Sequence, residues 1–217
     1  MREDIKFDFD RQNRIGIIEA VLGENKNVDQ LKKICKKVID KNELVFITRI
    51  NFDKAKSILD IYKNAEFYEE ANCVVIGKKL KNLSTSKRVA IVAGGTSDLS
   101  VSLEAKLALE VHGVKCKTFI DVGVAGLHRL FSNLEEINRY EVIIVCAGME
   151  GALPTVLGGL LAQPIIAVPV SVGYGVSKDG ISALHCMLSS CAPGISVMNI
   201  DNGYGAAMAA LRIIKIF

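Results

Sequence analysis

Cys191 is set among Ser189-Ser190 and Ala192-Pro193-Gly194, small residues that bring backbone close and leave a thiol room to face a cavity. A thiolate in such a place is a nucleophile at neutral pH, although a lone cysteine is more often a small core residue. Cys146 and Cys186 look packed instead, one ending an apolar strand and the other lying within a helix. Glu150 is the one charged residue between Val142 and Val176, with Gly148 and Met149 before it and Gly151 and Ala152 after it. A partly desolvated carboxylate there could hold or pass a proton. The plainer alternative is a charge facing a helix N-terminus.

A second set of residues suits an anion. In Ala93-Gly94-Gly95-Thr96-Ser97-Asp98 the glycines let the backbone turn with its N–H groups outward, and a helix starts directly afterwards. Thr96 and Ser97 add hydroxyl donors, and Asp98 could cap the helix or orient a ligand hydroxyl. A tight turn with a capped helix explains the same string without a ligand. The loop is neither a Walker A motif nor Gly-x-Gly-x-x-Gly. Arg129 could meet a phosphate or carboxylate and His128 could act as general acid or base, unless both are ordinary helix-surface residues. Ser171, in Pro169-Val170-Ser171, and Asn202, in Asp201-Asn202-Gly203, add polar groups to the same collection. No His and Cys cluster has zinc spacing.

The elements that would position these residues follow from patterning. Short β-branched runs occur at Arg88–Ala93, Lys117–Asp121, Val142–Cys146, Ile165–Pro169 and Ile195–Ile200. Helix-period segments separate or follow them at Leu99–Val111, Gly126–Leu134, Leu153–Leu161, Gly180–Ser189 and Tyr204–Ile214. This alternation predicts an α/β fold, a three-layer αβα arrangement around a parallel sheet, with ligands gathering at the carboxyl ends of the strands. Leu83 to Lys87 reads as a linker, so residues 87–217 are expected to form this domain and residues 1–86 a small N-terminal α/β domain. In the latter, Val28–Asp40 has the spacing of an amphipathic helix after an Asn27 cap, Asp53–Tyr62 looks helical, and Leu44–Thr48 and Cys73–Gly77 look like strands.

Composition removes several classes of function. A net charge of +3, evenly spread, gives no nucleic-acid footprint. The apolar stretch from Val142 to Val176 is cut by Pro154, Pro164 and Pro169 and by glycines including Gly148, Gly151, Gly158, Gly159 and Gly173, which predicts buried strands rather than a membrane span. The start lacks the apolar region of a signal peptide, and six cysteines without a Cys-x-x-Cys pair suit a reducing cytoplasm better than a disulfide framework.

Gly-Gly-Thr-Ser-Asp at 94–98 and the Ala147-Gly148 to Leu153-Pro154 loop resemble the aminoimidazole ribonucleotide carboxylase (PurE) family, which moves carbon dioxide onto a nucleotide ring without biotin or ATP. That family carries Ser-Ala-His-Arg after its second strand, whereas here the region runs from Asp121 to His128-Arg129. Phe9-Asp10-Arg11, Gly23-Glu24, Thr48-Arg49, Asp121 to Leu130, Ala147 to Pro154 and Asn199 to Gly203 together resemble the LarB family over nearly the whole chain. LarB proteins are pyridinium-3,5-biscarboxylic acid mononucleotide synthases of nickel-pincer nucleotide biosynthesis, which serves lactate racemase maturation. The resemblance implies carboxylation of nicotinic acid adenine dinucleotide at ring carbon 5 with carbon dioxide or bicarbonate, hydrolysis with release of AMP, and a PurE-like homo-oligomer, an octamer. In that role Cys191 would add to the pyridinium ring, Glu150 would take the carbon 5 proton, and residues 94–98 would cradle phosphate. Mg²⁺ on phosphate oxygens, with Asp98 as a ligand, would assist the hydrolysis.

Overall fold

The computed structural model describes residues 5–80 and 88–215. The expected linker, Leu83–Lys87, lies outside the described residues. Two compact units are present, Met1–Lys81 and Asn82–Phe217.

In the first unit, α1 (Arg11–Ile15) precedes β1 (Ala20–Leu22), α2 (Val28–Ile39), β2 (Val45–Thr48), α3 (Phe52–Leu59), β3 (Ala65–Tyr68) and β4 (Cys73–Ile76). The sheet order is β1-β2-β4-β3, parallel between β1 and β2 and antiparallel elsewhere. The Asn27 cap predicted for α2 is present as a reciprocal box. Its side chain accepts from the Gln30 N–H at 2.9 Å, while the Gln30 side chain accepts from the Asn27 N–H at 3.0 Å. Leu31, Ile34, Cys35 and Val38, one helical face, are buried with Val45, Ile47, Val74 and Ile76 of the sheet. Burial pushes the Cys35 thiol up to about 11. Strands β1 and β3 go beyond the two that patterning predicts here, because one is three residues long and the other is an edge strand carrying Glu66.

The second unit runs β5 (Val89–Ala93), α4 (Leu99–Val111), β6 (Cys116–Phe119), α5 (Leu127–Ile137), β7 (Val142–Ala147), α6 (Leu153–Gly158), β8 (Ile165–Pro169), α7 (Ile181–Leu188), β9 (Ile195–Val197) and α8 (Gly203–Ile214). All five strands are parallel, in the order β6-β5-β7-β8-β9. Alternate residues explain why the central strands are apolar throughout. Ala90, Val92, Ile143, Val145, Ile165 and Ala167 pack with Leu130, Ile137, Leu153, Leu157, Ala183 and Met187 of α5, α6 and α7. The intervening residues, including Val89, Ile91, Ile144 and Cys146, are equally buried, on the face where α4 packs against α8. Cys146 is thereby pushed up to about 12 by burial. No helix among the described residues is long and apolar enough to cross a membrane.

His112, at the end of α4, is buried, and its Nδ1–H donates to the Ala108 carbonyl oxygen at 2.7 Å. Burial holds its pKa below the usual value of 6.5. An unfolded chain would take up a proton near pH 6.5 and the folded one only below it, so His112 contributes stability that is full above that pH and falls as pH drops through the window beneath. The unfolding temperature of His112→Gln, measured by scanning calorimetry, should therefore fall less than that of the parent between pH 7 and about pH 5.5. Equal losses in both proteins would remove His112 as the source.

Candidate active site

Strand order reverses between β5 and β7, and the loops leaving the carboxyl ends of β5, β6, β7 and β8 close around a cavity of about 200 Å³. Its lining includes the predicted residues Gly94, Gly95, Ser97, Asp98, Arg129, Gly148, Met149, Glu150 and Ala152. It also includes Gly123, Val124, Ala125, Ala147, Leu153 and Val172, which the motif reading did not assign and which give the cavity an apolar wall. Thr96, His128, Gly151, Ser171, Asn202 and Cys191 do not line it.

Asp98 ties the site together. It is 4% exposed, and its carboxylate accepts from the Gly95 N–H at 2.8 Å and from the Gly148 N–H at 3.1 Å, joining the loops after β5 and β7. It does not cap the first turn of α4 as expected, because both oxygens are turned to these amides. Burial raises its pKa above the ordinary carboxylate value; the two N–H bonds oppose that rise, and the charge of Asp201 adds to it. Each Asp98 oxygen thus holds one backbone N–H at the position where Mg²⁺ is expected, and no group of three metal-ligating side chains occurs among the described residues.

The phosphate loop also differs from its sequence reading. The Gly94 N–H donates to the Cys146 carbonyl at 3.0 Å and the Gly95 N–H to Asp98, so neither points outward. The 3-10 turn Thr96–Asp98 follows, and a helical turn leaves its first backbone donors, here those of Thr96 and Ser97, without partners inside the turn. The loops approach so closely that a Cβ on Gly123 would lie 2.6 Å from the Gly94 carbonyl oxygen. One on Gly148 would lie 2.4 Å from that of Val172.

Glu150 is exposed at the cavity rim rather than desolvated. Left-handed backbone at Met149 (φ 54°) and Gly151 (φ 70°) turns the loop outward, so apolar neighbours in sequence do not bury it. Ser171 is exposed, and its N–H donates to Asp201 at 2.8 Å. The Asn202 side chain is occupied in capping α8, accepting from the Gly205 N–H at 2.8 Å. His128 is exposed on the first turn of α5.

Cys191 is the exposed member of six free cysteines. It lies in the return from α7 to β9, hence at the amino-terminal edge of the sheet, opposite the edge that bears the cavity. Its loop is pinned to α6 by a Thr155–Ser190 hydroxyl bond of 2.7 Å.

The parallel five-stranded sheet flanked by helices, with a glycine-lined cavity at its switch point, falls in a region that matches a PurE-like family. The AIR carboxylase family matches residues 88–217, and a LarB/PurE-like N-terminal domain matches residues 3–79. The chain belongs to the LarB family of PurE-like proteins. It is 42% identical to an uncharacterized protein of Methanocaldococcus jannaschii, over 100% of this chain and 86% of that one. Over 59% of this chain it is 37% identical to the N5-carboxyaminoimidazole ribonucleotide mutase of the same organism, covering 79% of that protein. It is 34% identical to the Escherichia coli mutase over 59% of this chain and 76% of that one.

Proposed function

We propose that this protein carboxylates the pyridinium ring of nicotinic acid adenine dinucleotide at carbon 5 and hydrolyses its anhydride, releasing AMP and pyridinium-3,5-biscarboxylic acid mononucleotide. The observation that carries this reading is the exposed thiol of Cys191 on a loop fixed to α6. Moving a carboxylate on an aminoimidazole needs no thiol, whereas an electron-poor pyridinium carbon cannot attack carbon dioxide unaided. The Cys191 thiolate adds to carbon 6 and the ring becomes a dihydropyridine, in which carbon 5 is nucleophilic. Carbon 5 bonds to carbon dioxide, a carboxylate takes its proton, and the C–S electrons return to sulfur as the ring rearomatises. Glu150 on the rim is the proton acceptor in this reading. Water attack at phosphorus then releases AMP, with the Thr96 and Ser97 amides and Arg129 taking up charge on the phosphate oxygens.

Because thiol and cavity occupy opposite edges of one sheet, the thiol comes from a neighbouring copy in a homo-oligomer, an octamer as in the family resemblance. Exposed apolar side chains in the loop after β8 and along α7 support such a neighbour: Tyr174 and Val176 are 77% and 93% exposed, and Ile181 and Leu188 are exposed on α7. Six free thiols suit a cytoplasmic setting. The product would feed nickel-pincer nucleotide synthesis.

Mass spectrometry of the products from the dinucleotide and ¹³C-bicarbonate tests the proposal. AMP together with a labelled biscarboxylated mononucleotide is the expected result. Turnover of N5-carboxyaminoimidazole ribonucleotide in its place would make the protein a mutase, and dinucleotide binding without products would make it a binding module.

A further inference from the structure

Arg129 reaches the cavity from the first turn of α5, and its guanidinium donates to Asp121, the residue at the turn after β6. Three features fix this pair. Asp121 has left-handed backbone (φ 61°), and the next residue is anchored by the Val122 N–H donating to the Ala93 carbonyl at 3.2 Å. Gly123 then packs against the backbone of Gly94, so the turn bearing Asp121 is locked to the phosphate loop. Finally, the guanidinium lies against Gly126, where a Cβ would come within 2.7 Å of the Arg129 Nε. The missing side chain at 126 is the space that Arg129 fills.

The ion pair is half exposed, with side chains 39% and 51% accessible, so it contributes little to folding stability. Its consequence is for binding. A free arginine loses rotamer freedom when it clamps an anion, whereas one already held by a carboxylate and a backbone shelf does not, and its remaining N–H donors stay available. We propose that Asp121 is a positioning residue that holds Arg129 at the cavity rim for the anionic group of the substrate, a phosphate or carboxylate. This rests on the reading that the cavity takes a nucleotide.

A double-mutant cycle read by calorimetric binding of nicotinic acid adenine dinucleotide to the full chain tests it. Asp121→Asn keeps a residue that tolerates left-handed backbone and removes the charge; it should weaken binding about fivefold with an unchanged unfolding temperature. Arg129→Ala should weaken it about thirtyfold or more, and the double variant should bind no more weakly than Arg129→Ala alone. Multiplying losses in the double variant, or parental affinity in Asp121→Asn, would overturn the positioning role. Parental affinity in Arg129→Ala would overturn it too, along with the anion contact. If the parent protein does not bind the dinucleotide, the functional reading falls. The same cycle, read with N5-carboxyaminoimidazole ribonucleotide, then decides the role of Asp121 separately.

Discussion

Cys191→Ser is expected to lower carboxylation by about a hundredfold or more, while folding and dinucleotide binding stay close to those of the parent protein. The side chain is exposed and the change is nearly isosteric, so no core packing is lost. Serine is scarcely ionised at neutral pH, whereas a thiol partly is, so the change removes the nucleophile and leaves the shape. Cys186→Ser, at a half-buried position on α7, should keep its activity. Co-expression identifies where the thiol acts. Neither Cys191→Ser nor Glu150→Gln alone should be active, yet mixed oligomers should regain about a quarter of parental turnover, because an intact cavity then meets an intact neighbouring thiol by chance. Full activity in Cys191→Ser would overturn the thiolate mechanism and favour the mutase reading. Loss in the single variant without recovery in the mixture would place the thiol in its own chain's cavity.

Gly148→Ala should damage both stability and the site. The added carbon would lie 2.4 Å from the Val172 carbonyl oxygen and 3.3 Å from Asp98 Oδ1, so backbone must move where β7 and β8 end. Overpacking of this kind costs about 1–3 kcal/mol, an unfolding temperature lower by roughly 3–10 °C in a chain of this size. The same shift pulls the Gly148 N–H from Asp98 and opens the joint between the two loops, so ligand affinity should collapse with it. Gly94→Ala is the control, since its added carbon meets only side-chain atoms, the nearest being Asp98 Oδ2 at 3.3 Å. Calorimetric unfolding and ligand titration of the two variants would reverse the assignment if Gly94→Ala proved the worse.

The five β-branched runs and the helices between them were legible because strands buried on both faces are apolar throughout, and crossover helices keep their own period. Leu99–Val111 matches α4 residue for residue. The loop motifs likewise point to the right edge of the sheet. What sequence hides is whatever depends on which strands are neighbours. Asp98 and Gly148 are 50 residues apart and meet only because β7 pairs with β5, so Asp98 reads locally as a cap when it is a joint between loops. Glu150 is exposed because the apolar residues beside it in sequence do not lie beside it in space. The position of Cys191 had a usable signal: a residue after a helix and before the next parallel strand belongs to the amino-terminal edge, where returns begin strands.

The two borders of the five-stranded sheet are β6 and β9, and a border strand can template another chain through its outer backbone edge. Strand β6 is four residues long and bears Lys117, ion-paired with Glu136. Strand β9 is three residues long and begins just after Pro193 and Gly194. Charge, brevity and a nearby proline are the devices by which natural sheets resist edge-to-edge aggregation. These features oppose the extension of one copy's sheet by another into a fibril.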